Sequence, residues 1–105
     1  MALKVGIVGF RGMVGSVLVE RMVKERDFDH VDATFFSTSQ PGSPPPRLVT
    51  DAGWDLPPVA DATSVDALRR LDVIVSCQGG DYTTSMHPAL RRAGFTGYFI
   101  DAAST

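Results

Sequence analysis

Three glycines spaced three residues apart follow a short apolar run near the beginning of the chain. They lie in the segment LKVGIVGFRGMVG at residues 3–15, and apolar residues then recur at helical spacing as far as residue 23. An apolar run that ends in glycine and continues as a helical pattern is typical of a buried strand, a tight turn and an α-helix. The segment therefore predicts a strand–turn–helix unit whose helix opens at the glycines.

Such a turn can bind an anion, because the free N–H groups and the dipole of a helix N-terminus attract a pyrophosphate. Gly9 would permit the turn, Gly12 would let a phosphate approach the backbone, and Gly15 would let the helix lie close to the strand. The spacing here is G-x-x-G-x-x-G and not the commoner G-x-G-x-x-G. A strand–helix unit whose glycines serve packing alone therefore remains the alternative.

The composition is that of one small globular domain. The chain has 105 residues, 44% of them hydrophobic and 21% charged, with a formal net charge of −2. Its lysines and arginines are spread out, so we expect no basic face for nucleic acid. No apolar stretch approaches the roughly 18 residues of a membrane span, and the first strand begins too early for a signal peptide. A single cysteine suits a reducing compartment, so we expect a cytoplasmic domain over residues 1–105.

Hydroxyl side chains follow the second predicted strand, the apolar run at residues 33–36. In a dinucleotide-binding fold, this position lies about 20 residues after the glycine turn and meets the adenosine ribose. An NAD site places a carboxylate there, but this chain has Thr38 and Ser39, and no carboxylate follows until Asp51. Arg11, inside the glycine turn, adds a positive charge that matches a phosphate group. The pattern favours NADP over NAD, with a merely polar turn as the alternative.

Prolines dominate the next segment. Six of the seven prolines lie between residues 41 and 58, where neither a strand period nor a helix period persists. The segment is typical of an extended, partly polyproline excursion over the surface. We interpret the prolines as stiffening this loop, with a proline-recognition ligand as the alternative. Within the loop, Trp54 either covers an exposed edge of the sheet or stacks on a nucleotide ring.

A third strong strand is predicted at residues 72–77. It is a nearly unbroken apolar run, of the kind that parallel sheets bury on both faces. The run ends at Gln78 and Gly79, on the edge where open α/β sheets collect their ligands. Gln78 can therefore hydrogen-bond a cofactor, and the backbone at Gly79 can approach it closely.

The rest of the second half carries helix boundaries and short strands. Ser64 is predicted to cap a short helix. Asp81 is predicted to cap a longer helix over residues 82–93, whose middle Pro88 kinks or loosens and which Gly94 ends. Short strands are predicted at residues 59–60 and 98–100, with a further strand-end loop at residues 101–105. This alternation of strands and helices predicts a truncated α/β fold of the Rossmann type, with a doubly wound, mainly parallel sheet and helices on both faces.

Cys77 is interpreted as a small structural cysteine and not as a nucleophile. It ends a buried strand, and neither histidine is a convincing partner, since His30 lies in a predicted loop and His87 in a predicted helix. Asp27 and Asp29 are interpreted as turn residues, because a hard cation would need more oxygen ligands nearby. The sequence therefore predicts no catalytic residue and no metal site.

Five collinear segments resemble the N-terminal part of the bacterial aspartate-semialdehyde dehydrogenase family, in the branch that carries an RGMVG motif. They span nearly the whole chain, and the proline-rich loop is the main departure. The segments are VGFRGMVGSVL at residues 8–18, ERDFD at 25–29, FFSTSQ at 35–40, CQGGDYT at 77–83 and IDAAS at 100–104.

The resemblance implies the family's reaction, the NADPH-dependent reductive dephosphorylation of L-aspartyl 4-phosphate to aspartate semialdehyde, on the route to lysine, methionine and threonine. It also implies that the nucleophilic cysteine, the histidine base and the substrate-binding arginines lie beyond residue 105. The chain alone is then expected to be inactive, and the whole enzyme to be a homodimer through a second domain. The residues predicted to bind the cofactor are Gly9, Arg11, Gly12, Met13, Val14, Gly15, Thr38, Ser39, Gln78 and Gly79.

Other interpretations remain open. The chain could be the cofactor domain of a related N-acetyl-glutamyl-phosphate reductase, although FFSTSQ and CQGGDYT fit that family less well. It could also be a stand-alone nucleotide sensor or interaction module without catalysis, or a fold that binds nothing. In each case, a sheet that stops after four or five strands leaves an apolar edge, so we expect marginal stability or self-association.

Overall fold

The computed structural model describes residues 2–102, in which strands alternate with helices. None of the helices in this range is long and apolar enough to cross a membrane. Residues 103–105, part of the strand-end loop predicted at residues 101–105, lie outside the described range. In chain order the elements are β1 (Leu3–Val8), α1 (Met13–Lys24), a 3-10 turn (Asp27–Asp29), β2 (Val31–Ser37), α2 (Arg47–Asp51), β3 (Ala60–Asp61), α3 (Val65–Leu68), β4 (Val73–Ser76), α4 (Gly80–Arg92) and β5 (Tyr98–Asp101).

The strands form one parallel sheet in the order β3-β2-β1-β4-β5. The chain moves outward from β1 through β2 and β3, then returns to the other side of β1 and continues through β4 and β5. The order therefore reverses beside β1, and such a switch point opens a crevice at the carboxyl ends of the central strands. The predicted doubly wound parallel sheet of the Rossmann type is confirmed.

Alternate strand positions supply one apolar cluster on each face of the sheet. On one face, Ile7 and Phe35 pack with Val19 of α1. On the other face, Ile74 packs with Leu90 of α4. All of these side chains are buried, so helices cover both faces, as the sequence predicts.

Two predictions about local structure are wrong. The longer helix begins at Gly80 with Gly79 at its N-cap, not at Asp81, because a φ of +112° at Gly79 allows a sharp turn that L side chains rarely adopt. The proline-rich loop is also not wholly irregular, since α2 lies within it. Pro46 stands at the N-cap of α2 and Val49 is fully buried, so packing against the core stabilises a helix that the loop's own sequence does not indicate.

Other boundaries agree more closely with the sequence. Ser64 caps α3, since its Oγ accepts a hydrogen bond from the N–H of Ala67 at 3.3 Å. Gly94, with a φ of +95°, follows the end of α4, which continues through Pro88. β2 extends beyond the predicted residues 33–36 at both ends.

The face of the sheet that carries α1 is open at its β5 end. Tyr98 and Ile100 of β5 lie beside Val73 and Val75 of β4, which pack against the α1 cluster. Tyr98 is 75% exposed and Ile100 is 50% exposed. We call these two side chains the β5 patch. It is the apolar edge expected from the sequence.

Candidate functional site

The carboxyl ends of the central strands enclose a cleft of about 270 Å³. Its walls come from the glycine turn after β1, from the end of β2 and from the end of β4. The cleft lies where the strand order reverses, which is where open α/β sheets bind ligands. The lining residues are Gly9, Phe10, Arg11, Gly12, Phe36, Ser37, Thr38, Ser39, Cys77 and Gln78.

Two glycines make the turn between β1 and α1 possible. Gly9 has a φ of +77°, and a Cβ there would lie 2.8 Å from the backbone nitrogen of Gln78. A Cβ on Gly15 would lie 2.5 Å from the Cα of Phe10 and would also collide with the carbonyl oxygen of Gly9. The predicted steric roles are therefore confirmed: Gly9 permits the turn, and Gly15 lets α1 lie close to β1.

The backbone of Gly12, the N-cap of α1, faces open space. Its φ of −77° is accessible to any residue, and a Cβ there would meet only the carbonyl oxygen of Gly9, at 3.9 Å. The amides of Met13 and Val14 have no acceptor within residues 2–102, and the first turn of α1 holds no acidic residue. Free N–H groups and the helix dipole thus create a positive field beside an unobstructed backbone, which suits an anion such as a pyrophosphate.

Arg11 supplies the charge of the cleft, since it alone is charged among the described residues that line it. Its guanidinium carbon lies 4.5 Å from the centroid of the Phe10 ring. Its Nη2 donates a hydrogen bond to the Oγ of Ser43 at 3.1 Å. No carboxylate within residues 2–102 pairs with it, so its charge is available to an anion.

Hydroxyl side chains line the wall at the end of β2. Ser37 is buried, and its Oγ accepts hydrogen bonds from the N–H groups of Ser39 at 3.2 Å and Gln40 at 3.0 Å. These bonds turn the chain after β2 and leave Thr38 and Ser39 exposed at the cleft. The side-chain amide of Gln78 donates to the Oγ1 of Thr38 at 3.4 Å. No carboxylate occurs among the described lining residues, so this wall does not repel a phosphate group.

Cys77 lines the cleft but lacks the features of a nucleophile. Burial, together with the Asp101 carboxylate, raises the pKa of its thiol above the usual range. A raised pKa lowers the thiolate fraction at neutral pH, so the thiol is poorly suited to nucleophilic attack. In the part of the chain that the structure describes, no group of three His, Cys, Asp or Glu side chains could hold a metal ion.

The structure brings six of the ten predicted cofactor-binding residues to the cleft, namely Gly9, Arg11, Gly12, Thr38, Ser39 and Gln78. The other four, Met13, Val14, Gly15 and Gly79, are not among its lining residues. Sequence reasoning did not include Phe10, Phe36, Ser37 and Cys77, which do line it. Each of these lies at or just after the carboxyl end of a strand, so the rule that ligands collect at the carboxyl ends of parallel strands could have found them.

Comparisons with known proteins agree with this geometry. The family model for the semialdehyde dehydrogenase NAD-binding domain matches residues 4–105. A structure of aspartate semialdehyde dehydrogenase from Francisella tularensis is 48% identical with a TM-score of 0.85, over 98% of this chain and 27% of that one. Aspartate semialdehyde dehydrogenase II from Vibrio cholerae, complexed with ASA, is 18% identical with a TM-score of 0.65, over 98% of this chain and 32% of that one, and supports the fold alone. The chain thus spans about a quarter to a third of these relatives.

The family match accounts for the chemistry of the cleft. A nicotinamide dinucleotide carries a pyrophosphate, which is the kind of anion that the N-terminus of α1 can bind. The match extends over nearly all of the residues that build the sheet, including the three strand ends around the cleft. This chain therefore belongs to the semialdehyde dehydrogenase family and is its NAD-binding domain, with a nicotinamide dinucleotide as its cofactor.

Proposed function

We propose that this chain is the NADP-binding domain of an aspartate-semialdehyde dehydrogenase. The complete enzyme would reduce L-aspartyl 4-phosphate with NADPH to aspartate semialdehyde and phosphate, in the biosynthesis of lysine, methionine and threonine. The observation that carries the choice of NADPH is Arg11, an unneutralised cation that lines the same cleft as the hydroxyls of Thr38 and Ser39. A 2′-phosphate needs such partners, whereas the 2′-hydroxyl of NADH is commonly held by a carboxylate.

The residues of the cleft fit a dinucleotide with an additional phosphate. Gly12 leaves room for the pyrophosphate, to which the amides of Met13 and Val14 would donate. Arg11 would donate to the 2′-phosphate, with Thr38 adding a hydroxyl. The absence of carboxylates among the described lining residues supports this assignment, because a carboxylate would repel each phosphate.

The residues of this chain would bind and orient the cofactor. When bound, a reduced nicotinamide supplies the hydride for the reduction. In this proposal residues 1–105 form the N-terminal domain, and the nucleophilic cysteine, the histidine base, the substrate arginines and the homodimer interface belong to sequence beyond them. The buried thiol of Cys77 does not replace that nucleophile. The 105-residue chain should accordingly bind NADPH and show no turnover in an assay that follows NADPH oxidation with aspartyl phosphate.

Calorimetric titration of the 105-residue chain with NADPH and with NADH tests the proposal. NADPH should bind more tightly, and Arg11→Met should weaken NADPH binding by about 10- to 100-fold, the range for a charge-assisted hydrogen bond. Arg47→Met is the matched control, because Arg47 is an exposed arginine of α2 that pairs with Asp51 at 3.9 Å and does not line the cleft. It should bind both nucleotides as the wild type does.

The outcomes separate the parts of the proposal. Equal affinities of the wild-type chain for the two nucleotides would overturn the assignment to NADP. Binding of neither would overturn the cofactor role of this chain. Turnover by the 105-residue chain would contradict the location of the catalytic groups. An equal loss of affinity in Arg11→Met and Arg47→Met would show that net charge, and not a specific phosphate contact, governs binding.

A further inference from the structure

The proline-rich loop holds Ser43 in a fixed position. The N–H of Gly42 donates to the carbonyl oxygen of Val59 at 2.7 Å, and the N–H of Val59 donates to the carbonyl oxygen of Ser43 at 2.8 Å. Val59 is 2% exposed, so these bonds tie the loop to the core. The hydroxyl of Ser43 also donates to the carbonyl oxygen of Gln40 at 2.8 Å. Three prolines, at residues 44–46, follow directly and stiffen the backbone through their fixed φ.

From this position Ser43 restrains Arg11, which is 32 residues away in sequence. Its Oγ accepts the hydrogen bond from Nη2 of Arg11 at 3.1 Å, while the Phe10 ring supports the guanidinium. No other residue within 2–102 hydrogen-bonds to this guanidinium. A guanidinium has five N–H donors, so most of them remain available to a ligand.

A second groove beside the cleft offers the Arg11 side chain an alternative position. It lines a second, largely apolar groove of about 390 Å³, which lies between α1 and residues 44–48 and adjoins the cleft at Phe10 and Arg11. A long arginine side chain has many rotamers. Without the hydroxyl of Ser43, the guanidinium could turn into this groove and away from the cleft.

We propose that Ser43 is a positioning residue that holds the Arg11 guanidinium at the cleft for recognition of the cofactor's 2′-phosphate. This inference rests on the proposed function, since it requires NADPH as the cofactor. Ser43 acts through Arg11: a guanidinium that is already restrained loses less conformational freedom when it binds the phosphate. Because NADH lacks that phosphate, Ser43 contributes to the preference between the two nucleotides and not to dinucleotide binding in general. The proline-rich loop thereby gains a role in cofactor specificity.

The test compares NADPH and NADH affinities of the 105-residue chain by calorimetry. Ser43→Ala should weaken NADPH binding by about fivefold, the usual worth of one hydrogen bond, and should leave NADH binding unchanged. Ser43→Thr keeps a hydroxyl and should restore the NADPH affinity. Thr50→Ala is the matched control, because it removes a hydroxyl of the same loop that donates to the carbonyl oxygen of Arg47 at 3.4 Å. It should bind both nucleotides as the wild type does.

The Arg11→Met background shows whether Ser43 acts through Arg11. There, Ser43→Ala should have no further effect, whereas effects that multiply would overturn the inference. Equal weakening of NADPH and NADH by Ser43→Ala would also overturn it, because that pattern indicates damage to the loop. A wild-type chain that prefers NADPH, combined with an unaffected Ser43→Ala variant, would overturn the role of Ser43 alone. A wild-type chain without that preference would overturn the proposed NADP site itself.

Discussion

The indole N–H of Trp54 donates a hydrogen bond to a carboxylate oxygen of Asp29 at 2.9 Å. Its ring packs on Phe28 with the centroids 5.3 Å apart, which holds the proline-rich loop against the 3-10 turn after α1. The hydrogen bond from Trp54, together with the Nε of Arg26 at 2.9 Å, lowers the pKa of Asp29. Trp54 is not among the described residues that line the cleft, so stacking on a nucleotide ring finds no support.

The lowered pKa of Asp29 predicts how stability depends on pH. A carboxyl whose pKa is lower in the folded state stabilises the fold at pH values above its ordinary pKa of 3.8. That contribution is lost as the pH falls through the folded-state pKa. Asp29→Asn keeps an acceptor for Trp54 but removes the charge. It should be less stable than the wild type at pH 6, and the difference should shrink at pH 3.

Urea unfolding at the two pH values measures this difference. Asp55→Asn is the control, since Asp55 is an exposed aspartate of the same loop. A difference between Asp29→Asn and the wild type that is the same at pH 6 and pH 3 would show that the charge of Asp29 does not stabilise the fold.

The glycine turn predicts different effects for two substitutions that lie three residues apart, one on stability and one on nucleotide binding. A Cβ at position 15 would come within 2.5 Å of the Cα of Phe10, and backbone atoms cannot yield as a side chain can. Gly15→Ala should therefore lower the free energy of unfolding by about 2 kcal/mol, as overpacking does in a well-packed core. Urea denaturation measures the loss. A Gly15→Ala variant as stable as the wild type would contradict the close approach of α1 to β1.

Gly12→Ala serves as the matched variant, since its Cβ would enter open space. Its free energy of unfolding should stay within about 0.5 kcal/mol of the wild-type value. Its NADPH affinity should nevertheless fall by about tenfold or more, because the new methyl group occupies the approach of the pyrophosphate. Unchanged NADPH binding by Gly12→Ala would place the pyrophosphate elsewhere.

The sequence predicts the glycine turn and the parallel sheet because their signals are local. Gly9 and Gly15 stand between an apolar run and a helical period, and each spacing has few structural solutions. α2 was not predicted because its burial depends on a partner distant in sequence: Val49 packs in the cluster formed by Ile7 and Val19. The start of α4 was not predicted because Asp81 is a favourable N-cap by residue type, whereas the backbone at Gly79 makes the turn.

Prediction of the candidate site from the sequence is likewise limited to what local signals indicate. The strand ends could place Thr38 and Gln78 on one edge, since the carboxyl ends of parallel strands meet there. The contact between Arg11 and Ser43 could not be predicted in this way, because it joins the glycine turn to an irregular loop across 32 residues. Irregular segments carry no period from which the direction of a side chain follows.

Tyr82 links α4 to the loop after β3, and it predicts a loss of stability in alkali. Its hydroxyl donates to the carbonyl oxygen of Ala62 at 2.6 Å. Burial, together with the charge of Asp61, raises the pKa of Tyr82 to about 12. Because this value exceeds the pKa near 10 of an unfolded tyrosine, the stabilisation by the neutral phenol is complete below pH 10 and is lost as the pH rises towards 12.

Tyr82→Phe should therefore be less stable than the wild type by about 1 kcal/mol at pH 7, the usual net worth of a hydrogen bond. Its stability should fall less steeply than that of the wild type between pH 9 and pH 11. Urea midpoints across this range give the comparison, with the exposed Tyr98→Phe as the control. Parallel decline of Tyr82→Phe and the wild type would contradict a buried, neutral phenol at position 82.

The β5 patch predicts that the 105-residue chain associates with itself. Tyr98 and Ile100 are exposed apolar side chains on β5, which ends the described sheet, and an exposed apolar strand of this kind favours association with another copy. Sedimentation velocity should show a sedimentation coefficient that rises with concentration. The double substitution Tyr98→Lys with Ile100→Lys should abolish the rise, because charged side chains protect an edge from pairing.

Thr84→Lys with Thr96→Lys adds the same charge at exposed positions outside β5 and should leave the association unchanged. A wild-type chain that sediments as a compact monomer at all concentrations would show that the β5 patch does not drive association.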